Sequence, residues 1–131
     1  MILLDTHTLI WWLKRSPKLS SKAKNAILES LKDKSIYVSS ITIWEICMLV
    51  KAGEIGFDVD IGEWIKSLEL MPEITFVPIG NLIAKESIFL PNLDHKDPAD
   101  RIIIATALSL GCPIATKDSK IHNYKKVKCV W

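Results

Sequence analysis

Five short apolar runs, at residues 1–5, 36–38, 75–79, 113–116 and 127–131, constrain this chain more than any other feature. Segments with helical spacing separate them. Within 20–32, Ala23, Ile27 and Leu31 recur four apart, and within 61–70 Ile61, Trp64, Ile65 and Leu68 mark one face. Caps and stops predict further helices at 6–13, from Ser39 or Ser40 to about 52, at 81–90, at 97–110 and at 119–124. Residues 53–60 and 91–96 read as loops. Apolar strands alternating with helices predict an α/β fold, a central five-stranded parallel sheet flanked by helices on both faces. Ligands of such sheets bind beyond the carboxyl ends of the strands, where the strand order reverses. Candidate functional residues therefore belong where strands end.

The 131 residues are expected to form a single domain, 1–131. At this length a chain buries roughly two thirds of its unfolded surface, enough for a core without disulfides or metals. Hydrophobic residues make up 49% and charged residues 24%, which excludes a disordered or low-complexity chain. The net charge of +2 creates no global field that demands a polyanion. The longest apolar runs, 102–105, 46–50 and 1–4, fall far short of a membrane span. The opening Met-Ile-Leu-Leu-Asp has no basic region and is not expected to be a signal peptide. Cys47, Cys112 and Cys129 are odd in number and show no zinc spacing. They read as reduced, mostly buried thiols of a cytoplasmic protein.

Most of the 15 acids lie among Lys and Ser and read as solvated charges. Four differ. Asp5 ends the first apolar run, where it would also cap the following helix. Glu45 lies in Ile-Thr-Ile-Trp-Glu-Ile-Cys-Met-Leu-Val, a helix apolar nearly all round and therefore expected to be buried. An ionised carboxylate there is costly unless paired or metal-bound. Asp100 follows Asp97-Pro98, and Asp97 already suffices as a cap with Pro98 at the first helical position. Asp118 follows the fourth run, where a turn would also suit it. Carboxylates converging in one cleft repel each other, and a hard divalent cation relieves that repulsion. Mg²⁺ or Mn²⁺ takes oxygen ligands and leaves room for a phosphate. His7, His95 and His122 form no triad with a nucleophile and read as solvent-facing or capping residues.

Four segments carry a resemblance: 3–11 around Asp5, 39–46 around Glu45, 95–107 around Asp97 and Asp100, and 115–118 ending at Asp118. Their order, spacing and total length resemble the signature segments of the PIN-domain nucleases, most nearly the VapC-type toxins of bacterial toxin–antitoxin pairs. Each motif is weak by itself, and the set is specific. The resemblance implies an endoribonuclease that uses Mg²⁺ or Mn²⁺. Asp5, Glu45 and Asp100 would be metal ligands, and Asp118 would complete the acidic catalytic site. Thr6, Asp97, Arg101 and Thr116 would support those ligands, with Thr116 orienting a ligand or water. The implied partner is a small antitoxin that blocks the site, and a homodimer is expected.

An acidic cleft needs basic flanks to hold RNA. Lys14, Arg15, Lys18, Lys22 and Lys24 form one acid-free basic stretch, and Lys120, Lys125, Lys126 and Lys128 form another. Trp11, Trp12 and Trp44 read as core or as a groove for the antitoxin, with base stacking as their other use. Other readings compete. A haloacid-dehalogenase-like phosphatase needs a second Asp where His7 stands, and a receiver-like domain needs an acid where the third strand ends at Ile79-Gly80-Asn81. A non-catalytic binding module leaves Glu45 unexplained. A related nuclease acting on DNA, or in RNA processing outside a toxin–antitoxin pair, shares the same acids.

Overall fold

The computed structural model describes residues 1–131. Strand β1 (Ile2–Leu4) is buried along its whole length and lies at the centre of the sheet. The chain then alternates α1 (Thr6–Leu13), α2 (Ser21–Lys32), β2 (Ile36–Ser39), α3 (Ser40–Lys51), α4 (Ile61–Glu69), β3 (Ile74–Val77), α5 (Asn81–Ile88), α6 (Pro98–Leu110), β4 (Ile114–Ala115), α7 (Ser119–His122) and β5 (Cys129–Val130). Every expected element is present. The first and last three strands are shorter than their apolar runs because pairing stops before the runs do.

The strand order is β3-β2-β1-β4-β5, and every neighbouring pair is parallel. Leu4 pairs with Val38 on one side and with Ala115 on the other. The order therefore reverses between β1 and β4. Side chains alternate across the sheet as strand geometry requires. Leu3 and Ile114 pack with Ile103, Ile104 and Ala107 of α6, and with Ile121 and Tyr124. Ile2, Leu4, Ile36, Val38 and Ala115 pack on the opposite face with Leu9, Ile10 and Ile27. Two apolar layers, one on each face, account for the nearly unbroken hydrophobicity of the strands.

Helix α6 shows how the sequence sets local boundaries. Asp97 caps it, Pro98 occupies its first turn, and Gly111 closes it in the left-handed conformation at φ 67°. A side chain at Gly111 would be strained there. Helix α3 departs from expectation. Only Ile41, Thr42 and Ile46 are buried, while Trp44 is 55% exposed and Met48 is 48% exposed. Its neighbours α1, α4, α6 and β2 leave its outer face uncovered, so apolar composition all round did not produce burial all round. The cysteines are free, but only Cys112 is fully buried. No helix is long and apolar enough to cross a membrane.

Candidate active site

Asp5 stands at the carboxyl end of the central strand, beside the point where strand order reverses. Its Oδ1 accepts the Thr8 N–H at 2.7 Å, which caps α1. Its Oδ2 accepts the Thr116 hydroxyl, which arrives from the end of β4. Asp5 is 8% exposed. Burial raises its pKa above the ordinary carboxylate value, and the hydrogen bonds from Thr116 and Thr8 only partly oppose this.

Thr116 joins two acids. Its hydroxyl donates to Asp5 and accepts the N–H of Asp118 at 3.0 Å. Asp118 in turn caps α7, accepting the Lys120 N–H at 2.7 Å. Glu45 enters from α3, and the Thr6 hydroxyl donates to its Oε1 at 2.5 Å. Burial raises the pKa of Glu45, and the charges of Asp100 and Asp97 raise it further against the Thr6 bond. Asp100 lies in the first turn of α6, where Asp97 caps its N–H at 3.0 Å. Burial raises the pKa of Asp100 as well, and Asp97 and Asp118 add to this while His95 opposes it.

These four carboxylates line one cleft of about 600 Å³, together with Thr6, His7, Trp11, Asp97 and Lys117. The four acids come from four different places in the chain. Asp5 and Asp118 are themselves helix caps, Thr6 holds Glu45, and His95 holds Asp100, so at two of the four positions helix capping and site building use the same side chain.

His95 corrects the sequence reading. Its Nε2 meets Asp100 Oδ2 at 2.5 Å, and its side chain is 9% exposed. Ligand atoms of His95, Asp100 and Asp118 lie within 4.8 Å of one another. His122 is also structural, with Nε2 donating to the Thr116 carbonyl at 2.7 Å. His7, on α1, faces the cleft and tilts against Trp11 with ring centroids 5.7 Å apart. Nothing in the sequence marked Lys117, which lines the cleft one residue before Asp118.

Arg101 supports the site through backbone rather than carboxylates. Its guanidinium donates to the carbonyls of Ser87 at 2.7 Å, Ile88 at 2.8 Å, Leu93 at 3.3 Å and His95 at 2.8 Å. It thus binds the carboxyl end of α5 and the loop that carries His95.

Of the expected basic flanks, Lys120 follows the acids directly, its N–H on Asp118, while Lys14, Arg15, Lys125 and Lys126 lie away from them. Lys14 follows the far end of α1, donates to the Gly56 carbonyl at 2.9 Å and stands over the Phe57 ring. Arg15 lies beside Trp12, Ser16 and Lys24. Lys126 sits with Gly111–Pro113, at the amino edge of the sheet, and Lys125 precedes it in the same exposed turn. Trp11 does reach the cleft, half-buried, with Trp131 against its ring and the Lys18 and Lys117 ammonium groups about 6 Å from it. Trp12 packs against the core, and Trp44 is exposed.

A parallel sheet with carboxylates clustered beyond its central strands defines an α/β protein with an acidic cleft at the strand-order reversal. The sequence model of the PIN domain matches residues 2–127, and the chain belongs to that family. It is 30% identical to Ribonuclease VapC22 of Mycobacterium tuberculosis (strain ATCC 25618 / H37Rv), an alignment covering 99% of this chain and 98% of the relative. Among solved structures it resembles VapBC2 from Rickettsia felis, bound to a DNA fragment from their promoter. The TM-score is 0.70 at 16% identity over 98% of this chain and 97% of the other. It also resembles FitAcB from Neisseria gonorrhoeae, with a TM-score of 0.68 at 23% identity over 98% and 96%. At these identities the structures speak for the fold.

The donor set fits a hard divalent cation. Three of the four acids have pKa values raised by burial, and for Glu45 and Asp100 by neighbouring charges too. A cation removes that penalty, and oxygen-rich sites suit Mg²⁺ or Mn²⁺. His95, bonded to Asp100, orients that carboxylate in the way that partners of metal ligands do.

Proposed function

We propose that residues 1–131 form a single nuclease domain that hydrolyses phosphodiester bonds in RNA, as the toxin of a toxin–antitoxin pair. Asp5, Glu45, Asp100 and Asp118 would hold Mg²⁺ or Mn²⁺. The convergence of these four carboxylates in one cleft at the strand-order reversal carries the reading. When bound, such a cation polarises the phosphodiester and lowers the pKa of an attacking water. The chain's own residues hold the geometry: Thr116 fixes Asp5, Thr6 fixes Glu45, and Asp97 and His95 fix Asp100. Arg101 keeps the His95 loop in place.

The relative named above is a ribonuclease, and a structural neighbour from Klebsiella pneumoniae is a toxin–antitoxin complex, with a TM-score of 0.58 at 19% identity. Both support an antitoxin as the partner of this chain. The exposed apolar face of α3 supports a protein partner in general. A homodimer and a cytoplasmic location complete the proposal.

The test is cleavage of single-stranded RNA in Mg²⁺, Mn²⁺ and EDTA, by the wild-type chain and by Asp100→Asn. Cleavage is expected only with cation and only in the wild type. Cleavage that survives in EDTA removes the metal centre. A folded wild-type chain that binds an antitoxin but cleaves no RNA leaves a partner-binding module.

A further inference from the structure

A second cleft, of about 550 Å³, adjoins the acidic one. His95 divides them: its ring bonds Asp100 on one side and its residue lines the second cleft on the other. Asp118 and Lys120 stand in the same relation across the first turn of α7. The two clefts differ in charge. Five acids and one lysine line the first, whereas Lys96 and Lys120 face the single acid Asp94 in the second.

We propose that this second cleft is a nucleotide subsite, which holds one unit of single-stranded RNA next to the scissile phosphate. The proposal rests on the nuclease reading and adds where the substrate lies. Lys96 and Lys120 take part in no ion pair and are exposed, as phosphate contacts must be. The amides of Asn92 and Asn123 offer both donors and acceptors, which is what the edge of an unpaired base requires. The volume lies within the range of sites that enclose small ligands.

The walls are built in advance. Arg101 holds the loop at the Leu93 and His95 carbonyls, and the buried Tyr124 donates its hydroxyl to Pro91 O at 3.0 Å. Asn92 has φ 58°, a left-handed conformation that Asn tolerates better than most residues. A preformed cleft spares a ligand the cost of ordering it. RNA crossing the acidic cleft needs a cationic hold on at least one side. Of the expected basic flanks, Lys120 lines the second cleft and Lys126 does not, and Lys96 joins Lys120 there.

Binding is measured by fluorescence anisotropy of a labelled random-sequence RNA decamer in Mg²⁺, in an Asp5→Asn background that prevents turnover. Lys96→Ala with Lys120→Ala should weaken binding about tenfold and lower the salt slope by about 1.4, since each single-strand phosphate contact contributes about 0.7. Lys32→Ala with Lys51→Ala is the charge-matched control, because these lysines end α2 and α3. Equal losses in both pairs, or none in either, overturn the subsite. Cleavage sites of the otherwise wild-type chain are then mapped on a random RNA pool. Wild type should show a base preference at one position beside the cut, and Asn92→Gly with Asn123→Ala should flatten it. An unchanged preference overturns the subsite and leaves the nuclease intact. A wild-type chain that neither binds nor cuts the pool overturns both. Variants that lose an antitoxin but keep RNA binding assign the cleft to the protein partner and overturn the subsite.

Discussion

Asp5 and Asp60 do the same local work and meet different fates. Asp5 caps α1 through the Thr8 N–H at 2.7 Å, and Asp60 caps α4 through the Gly62 N–H at 2.9 Å. Asp60 follows a loop and is exposed. Asp5 follows the central strand, is buried, and shares a cleft with four other carboxylates. The capping motif is identical in kind, so local chemistry does not separate the two. Their positions relative to the sheet do. The carboxyl end of a central strand delivers a capping aspartate into the crevice where strand order reverses.

The largest expected difference between them lies in catalysis. Asp5→Asn should lower RNA cleavage by at least ~10²–10³-fold, the range for removing one electrostatic stabiliser. Asp60→Asn should leave the rate at the wild-type value. Single-turnover cleavage of a labelled RNA reads both. A normal rate in Asp5→Asn would make Asp5 nothing more than a second Asp60.

Stability should separate a cleft acid from Asp60 in the opposite sense. Asp60→Ala removes a cap and should cost about 1 kcal/mol in denaturant unfolding. Asp100→Asn removes one member of a repelling group and should melt at or above wild type without divalent cation, since sites trade stability for function. Mg²⁺ should then raise the wild-type Tm by binding the folded state, and raise that of Asp100→Asn by less.

A smaller effect should appear with pH. Asp5, Glu45 and Asp100 all have folded pKa values above their ordinary ones, chiefly through burial. Their contribution to stability is present below the unfolded carboxylate value of about 4, and is lost as pH rises through the raised folded values. In EDTA, the Tm advantage of Asp100→Asn over wild type should therefore be near zero at about pH 4 and grow toward neutrality. A difference that stays constant with pH would mean that the Asp100 charge costs the fold nothing.

The fold was legible because its signals are one-dimensional. Strands buried on both faces read as short apolar runs, and α6 announced both ends through Asp97-Pro98 and Gly111. Asp5, Glu45, Asp100 and Asp118 were legible as acids in apolar or strand-end positions. The reason given for Glu45 was partly wrong. Its helix leaves Trp44 and Met48 exposed, because composition does not say which faces a neighbour will cover. His95 was misread for a different reason. It precedes Asp100 by five residues, across a loop whose path depends on Arg101 reaching back to four carbonyls. That path is tertiary, and no local spacing encodes it. The basic flanks were legible only as stretches: counting lysines between acids does not say that Lys120 stands beside the cleft while Lys126 lies at the other edge of the sheet.

The central claim is that the buried cap at the end of β1 is a metal ligand and the exposed cap on α4 is not. Mn²⁺ binding followed by electron paramagnetic resonance tests this directly, in wild type, Asp5→Asn and Asp60→Asn. Wild type and Asp60→Asn should bind Mn²⁺ alike, and Asp5→Asn should bind at least about tenfold more weakly, as expected when a metal site loses a key carboxylate or its support. Equal Mn²⁺ affinity in all three proteins would contradict the account.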